Sequence, residues 1–427
     1  MYPVPFPLEP SLWAKTACLP PSTNSLKEEI RTEVLVIGGG FAGLSTALHL
    51  AQEGKRVVLL EAKEIGFGAS GRNGGQVIPG LKYDPEDLMA MYGEQHGKRL
   101  VDFAGKTADT VFDLIKQFNM NVPHARSGWI QGAHNQDALA LARKRSSQWG
   151  ALGAPTRMLS RDEVANMLGT DIYVGGWIDM RAGAVQPLSY ARELARVAIS
   201  LGANIFTDSA VTQLRQQSST WQALTSNGGS VTADKVVICT NGYSQGLWPN
   251  LQSTVIDAIS YLVATSPIPE SLRKKIVPNG EVCSDARNLL IYFRQDHEGR
   301  FVLGGRGPFR EPKGPEDWAH IERVTQKMFP ALSDFPIEHR WCGRVAVTRD
   351  FMPHIHEPKP GLLIDIGCMG RGVGLQSNIG RAIAQYMTTG NRELLPFEST
   401  AVKPLPLYHF RRLYVNALMT WYRFKDL

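Results

Sequence analysis

The apolar positions of this chain fall into two rhythms, unbroken short runs and helical spacings, and they alternate. Val34-Leu35-Val36-Ile37 is an unbroken run of the kind that forms a parallel strand buried on both faces. From Phe41 to Glu53 the apolar residues recur at helical spacing, and Arg56-Val57-Val58-Leu59-Leu60 is a second strand ending at Glu61. Between the first strand and the helix lies Gly38-Gly39-Gly40-Phe41-Ala42-Gly43. In such a unit Gly38 permits the turn, Gly40 lets backbone approach a pyrophosphate, and Gly43 lets the helix pack on the strand while its first N–H groups face the anion. Glu61 follows Gly38 by 23 residues, near the ~20 expected of an acid that accepts from a ribose diol. Strand, turn, helix and distal acid together predict a dinucleotide-binding unit.

The same two rhythms map the rest of the chain. Residues 1–31 read as a Pro-rich lead-in. Pro85 to Met120 is mainly helical, with Gly93 and Gly97 as candidate interruptions, and a second helix is expected from Gln136 to Trp149. Ser160-Arg161-Asp162-Glu163 reads as a capping box. Pro187 to Leu201 is an amphipathic helix, followed by strand-like Asn204–Phe206 and Ala210–Leu214 and by Lys235–Cys239, a further buried strand. Alternation returns through Ile256–Thr265 and Leu289–Leu303, where Gly304-Gly305 ends a hairpin-like pair. Leu362–Ile366 is a strand and Gln376–Met387 a helix. The expected fold class is α/β: a discontinuous Rossmann-type domain from 32–80, 186–250 and 341–395, and a second α+β substrate domain on a mixed sheet from 81–185 and 251–340. Residues 396–427 form a C-terminal tail.

Length, at 427 residues, suits two or three domains, and 43% hydrophobic with 20% charged residues excludes disordered and fibrous classes. The charge of +6 is spread along the chain with no basic block, which biases towards an anionic cofactor or substrate and against nucleic acid. Five cysteines without short paired spacings suggest a reducing compartment, with no metal site. No apolar stretch is long enough to span a bilayer, and the N-terminus lacks a signal-peptide design, so a cytoplasmic location is expected. The tail from Phe410 to Leu427 mixes Arg411, Arg412, Arg423 and Lys425 with Leu413, Tyr414, Leu418, Trp421, Tyr422 and Phe424. It is either a basic amphipathic helix on a membrane surface or, the more ordinary case, a terminal helix docked on its own domain.

Two further glycine-rich stretches bear on which nucleotide is meant, the first being otherwise only a flexible loop. Gly66-Phe67-Gly68-Ala69-Ser70-Gly71-Arg72-Asn73-Gly74-Gly75-Gln76 follows the second strand and would let backbone lie against a flat ring, with Ser70, Arg72 and Asn73 as donors. Gly370-Arg371-Gly372-Val373-Gly374 lies between the last strand and the last long helix. These two stretches, with the Gly38 turn, Glu61-Ala62, Ala210-Val211, Thr240-Asn241-Gly242, Trp341-Cys342-Gly343 and Thr348-Arg349-Asp350-Phe351-Met352-Pro353, span nearly the whole chain in family order. By them the chain resembles the D-amino-acid oxidase-like, FAD-dependent amine oxidoreductases, and among these the γ-glutamylputrescine oxidoreductase group.

The resemblance implies that Val211 meets adenine, that Thr240 and Gly242 lie along the diphosphate and ribitol, and that Gly370, Arg371, Gly372, Val373 and Gly374 meet the flavin, where a helix start favours the anionic reduced ring. Some relatives attach FAD through a His near the position of Asn73, others through a Cys near Gly343. Neither fits here, so non-covalent FAD is expected.

The implied reaction is oxidation of an amine, a γ-glutamylated amine of polyamine catabolism in the leading case, by hydride transfer to flavin N5. The imine is hydrolysed to aldehyde, and the flavin is reoxidised by O2 or another acceptor. Such chemistry asks for positioning and desolvation more than for acid–base groups, and no catalytic triad is visible. Arg294 is the candidate for a substrate carboxylate, against a plain strand-end arginine. Tyr261 and Tyr292 are candidate aromatic walls or core residues, Arg344 a candidate at the flavin edge, and His354 a pocket group or a loop residue. The alternatives are an oxidase or dehydrogenase of sarcosine, glycine or a D-amino acid and, more distantly, a flavin-binding protein without turnover.

Overall fold

The computed structural model describes residues 7–8 and 11–426; residues 1–6, 9–10 and 427, which include Pro3, Pro5 and Pro10 of the lead-in, lie outside the described residues. Two large sheets organise the chain. In the first, strands 204–206, 57–60, 29–37, 230–238 and 362–366 are parallel neighbours in that order. Strand 354–359 closes one edge antiparallel, and the hairpin 211–217/220–225 pairs with the first half of 230–238.

The run Val34–Ile37 shows why the strand is apolar throughout. Val34 and Val36 join the core under the helices, whereas Leu35 and Ile37 join the core on the opposite face. Helices Phe41–Gln52, Pro187–Ser200 and Gly372–Thr389 pack on the first of these faces. Helices Pro85–Gly105 and Thr107–Gln117 pack there too, although residues 81–185 were expected in the substrate domain. The first is broken at Gly93, whose φ of 75° a helix cannot contain; Gly97 stays helical and lies against the backbone of Leu88 and Met89, before the break.

The second sheet has eight strands in the order 337–347, 256–267, 300–306, 292–295, 282–285, 129–133, 175–179, 156–159. Only 282–285 with 129–133 is parallel, so the sheet is mixed. The 337–347 strand pairs with 256–265 along its length, so Trp341–Val347 belong to this sheet and the chain returns to the first sheet later than position 341 suggests. The capping box forms as read: Ser160 Oγ accepts from Glu163 N, and Glu163 Oε2 accepts from Ser160 N.

Both ends of the chain do more than lead in and trail off. Helix Leu12–Thr16 buries Leu12 and Trp13; the Trp13 indole donates to Asn73 O at 2.7 Å and meets Trp341 edge-on at 5.6 Å. Helix Arg411–Lys425 half-buries Arg411, Val415, Met419 and Tyr422, and Asp426 accepts from Asn288 and Leu289 backbone N–H groups. Its other side leaves Leu413, Trp421 and Phe424 exposed. No described helix is long and apolar enough to cross a membrane.

Candidate active site

The Gly38–Gly43 turn is dictated by packing as much as by a ligand. A Cβ on Gly38 would lie 2.7 Å from Cys239 O, and one on Gly43 would run into Gly38 O, so neither position admits a side chain. The helix that starts at Phe41 has no side-chain cap at Gly40, and its first residues line a cavity of about 660 Å³. Ser70 Oγ accepts from Phe41 N at 3.0 Å and so fixes the glycine-rich loop against this helix start. Glu61 accepts from Gly39 N at 2.6 Å and from Lys63 N at 2.9 Å; burial nevertheless raises its carboxyl above the usual range. Gly38, Gly40, Phe41, Ala42, Glu61, Ala62, Val211 and Thr240 all line this end of the cavity.

The 66–76 loop borders the middle. Ser70, Arg72, Asn73, Gly74 and Gln76 line the cavity there. Several of their polar groups are already engaged: Asn73 Nδ2 donates to Ala69 O and Ser70 O, its Oδ1 accepts from Gly75 N, and Gln76 Nε2 donates to Cys283 O in the second sheet. Arg72 donates through Nε and Nη1 to Phe67 O and Pro7 O, while its Nη2 is buried without a partner. Opposite lie Gly370, Arg371, Gly372 and Val373, at the start of a second helix with no side-chain cap. Gly370 takes a φ of 77°, which turns the chain from the 362–366 strand into that helix.

Some glycines chosen from sequence serve packing instead. Gly43, Gly75, Gly242 and Gly374 do not line the cavity. A Cβ on Gly374 would sit 2.7 Å from Thr107 O, and Gly75, at a φ of 70°, lies against Val185 O and the Arg294 guanidinium.

The candidate substrate residues separate clearly. Arg294 is buried, and its guanidinium donates to Gly74 O and Val185 O at 2.8 Å each and stacks 4.9 Å over Trp13. It clamps the glycine-rich loop and does not face the cavity. Tyr261 points away as well, its hydroxyl donating to Arg310 O, because its neighbours Ser260 and Leu262 take the cavity face in the strand's alternation. His354 lies outside the cavity, bonded to Asp350 and Thr400. Tyr292 does line it, with its hydroxyl 2.8 Å from Ser260 Oγ and pushed up to about 12 by burial. Arg344 lines it too, paired with Glu311 at 2.9 Å and stacked on Tyr243.

Beyond the flavin-loop end the cavity is walled by the second sheet. Trp129, Gln131, Ser260, Tyr292 and Arg306 come from strands, and Lys82 and Arg145 face them. Of these, only Tyr292 was singled out in the sequence. Arg306 carried a weak signal, since it follows the Gly304-Gly305 pair; Lys82 carried none.

A flavin dinucleotide fits these residues. Two helix starts whose own N-cap residues make no side-chain cap bond face one cavity, glycines leave backbone bare along it, and Arg72, whose Nη2 is buried without a partner, lines its middle. The cavity also extends past the two glycine loops to a wall of the second sheet.

Comparison with known proteins gives the same picture. Residues 33–386 match the DAO family, described as FAD dependent oxidoreductase. The chain is 29% identical to gamma-glutamylputrescine oxidoreductase of Escherichia coli over 389 residues, covering 90% of each chain. It is also 29% identical to the probable oxidoreductase OrdL of Rhizobium meliloti, covering 93% of this chain and 92% of that one. Glycine oxidase from Geobacillus kaustophilus shares the fold with a TM-score of 0.72 at 19% identity, over 87% of this chain and all of its own.

Proposed function

The chain belongs to the DAO family of FAD-dependent oxidoreductases, and on that premise, with relatives named for oxidation of gamma-glutamylputrescine and glycine, we propose that it oxidises a carboxylate-bearing amine at a CH–NH or CH–NH2 bond, with γ-glutamylated amines the first candidates. What carries the reading is the continuity of one cavity from Glu61 to Arg306, dinucleotide-binding at one end and walled by Tyr292, Ser260 and Trp129 at the other. The 29% identity to a gamma-glutamylputrescine oxidoreductase over most of both chains supports the choice of amine.

Bound FAD supplies a hydride acceptor at its N5, and the protein supplies the rest. The Phe41–Gln52 helix start and Thr240 would hold the diphosphate and Glu61 the adenosine ribose, and the Gly372–Thr389 helix start would lend a positive field to the flavin. Tyr292 and Ser260, bonded to each other, orient substrate, and the aromatic wall of Trp129 and Tyr292 excludes water from the reacting C–H. The bound amine loses hydride and proton to become an imine, which water converts to a carbonyl compound and free amine or ammonia; the acceptor that reoxidises the cofactor is oxygen or another oxidant.

The cofactor is held without a covalent bond in this reading. Cys342 lies behind the cavity wall, pushed up to about 12 by burial and close to Glu311, and the Asn73 position carries no imidazole. The test is anaerobic titration of the yellow protein with γ-glutamylputrescine, glycine and sarcosine, followed by a peroxide assay in air. Bleaching by the γ-glutamylated amine supports the proposal; tight FAD with no bleaching by any amine refutes it.

A further inference from the structure

The exposed apolar surface of this protein is concentrated on one element. Among the described residues, seven large apolar side chains are more than half exposed, and five of them, Leu407, Phe410, Leu413, Trp421 and Phe424, lie on helix Arg411–Lys425 or the turn before it. The other two, Leu19 and Leu152, lie far from it along the chain, and single exposed residues of that kind are ordinary on a protein surface.

Helical spacing sorts the helix into three faces. Arg411, Val415, Met419 and Tyr422 are half-buried against the rest of the chain. Shifted by one residue, Arg412, Asn416, Thr420 and Arg423 form a polar face. Shifted by two, Leu413, Ala417, Trp421 and Phe424 form an apolar one, and every residue of both faces is exposed. Tyr414 and Leu418 widen the apolar face, and Lys425 borders it, its ammonium 5.6 Å from the centre of the Trp421 ring. The helix is also held in place: Asp426 accepts from the Asn288 and Leu289 N–H groups at 2.8 Å each, and Arg411 donates to Tyr408 O and stacks on the Tyr408 ring. A docked helix therefore presents the apolar stripe outward.

Charge narrows what can cover that stripe. From Ser399 to Lys425 the chain holds five cations, Lys403, Arg411, Arg412, Arg423 and Lys425, and no Asp or Glu. Lys403, Arg412, Arg423 and Lys425 are exposed and form no ion pair among the described residues. Two copies of the chain meeting through this stripe would bring these cations together, which opposes a symmetric dimer there. A layer that is apolar within and negative at its boundary suits both parts of the surface. Trp421, Phe424 and Leu413 would enter the apolar layer, while the long basic side chains reach back to the charged groups.

We propose that helix Arg411–Lys425 docks the folded protein on the surface of an anionic lipid membrane. It lies in the interface plane with Leu413, Trp421 and Phe424 inserted and with Arg412, Arg423 and Lys425 at the headgroups. Such docking is independent of which amine is oxidised, or of whether any is.

To test it, the FAD-loaded full chain is mixed with vesicles of phosphatidylcholine alone or of phosphatidylcholine with phosphatidylglycerol, and the bound fraction is read by flotation. Binding to the anionic vesicles is expected to exceed that to the neutral ones by at least ~10-fold, and to fall as salt is raised from about 0.1 M to about 1 M. Trp421→Ser with Phe424→Ser is expected to weaken it ~10–100-fold, and Arg412→Gln with Arg423→Gln by ~10-fold or more. Brominated acyl chains are expected to quench part of the tryptophan emission of the parent and none of that of Trp421→Phe, which keeps its binding. FAD content and circular dichroism show that each variant is folded. Equal binding to the two kinds of vesicle, anionic binding indifferent to both double variants, or undiminished quenching in Trp421→Phe overturns the proposal. So does a dimer that Trp421→Ser with Phe424→Ser dissociates, because a second copy of the chain then covers this face.

Discussion

Asp365 is the penultimate residue of the 362–366 strand, on the same face as Leu363, under the helices of the first sheet. Its carboxyl is buried beside Cys239 and Gln376, and burial pushes its pKa up from 3.8 to about 7. A carboxyl whose folded pKa is raised holds a proton in the native state that the unfolded chain has already released. No penalty therefore exists below about pH 4; it accrues as pH rises between the two values and is complete above about pH 7. The shift of roughly three units corresponds to about 4 kcal/mol at most, a large share of the ~5–15 kcal/mol by which domains are stable. Asp365→Asn keeps the shape and removes the ionisation. The variant is expected to match the parent near pH 4 and to exceed it increasingly towards pH 8, by up to several degrees in Tm. Thermal unfolding of both proteins, with and without FAD, across that range is the assay. A stability difference that stays constant from pH 4 to pH 8, or a parent that gains stability above pH 6 relative to the variant, refutes a neutral buried Asp365.

Other substitutions probe the site from different sides. Gly43→Ala drives a methyl into Gly38 O, so the strand and helix must part; an overpacking cost of about 1–3 kcal/mol and a purified protein with little yellow colour are expected, and full FAD content would contradict this. Glu61→Gln places an amide where the acceptor of two backbone N–H groups stood; FAD affinity measured by fluorescence is expected to fall ~10-fold with the reduction rate of the saturated enzyme largely kept. Arg294→Ala strips donors from Gly74 O and Val185 O. It should lower stability by about 2–4 kcal/mol in a melt, and a selective rise in KM for carboxylated amines with stability intact would restore Arg294 to the substrate site.

Different parts of the chain were legible for different reasons. The Gly38 turn, Glu61 and the Gly370 turn could be read because local geometry forces them: a strand that ends, a helix that begins and an anion between allow few residues. Tyr261 and Tyr292 could not be told apart, because both lie on apolar strands and only strand pairing decides which one faces the cavity. Arg294 resembled a ligand-binding arginine by position along the chain, yet its partners, Gly74, Val185 and Trp13, arrive from distant segments. The lead-in likewise gave no hint that Trp13 would donate to Asn73.

By itself the sequence determined a dinucleotide-binding turn and the strands and helices around it, since hydrophobic period and glycine spacing act within a few residues and survive any arrangement of the remainder, while FAD and oxidoreductase chemistry were read from the resemblance to a family. Only the tertiary structure decided which charges meet. Lys82, Arg306 and Arg371 lie up to 289 positions apart, and their shared cavity exists because two sheets close on each other. Electrostatic recognition depends on distance through space, which separation along the chain does not record.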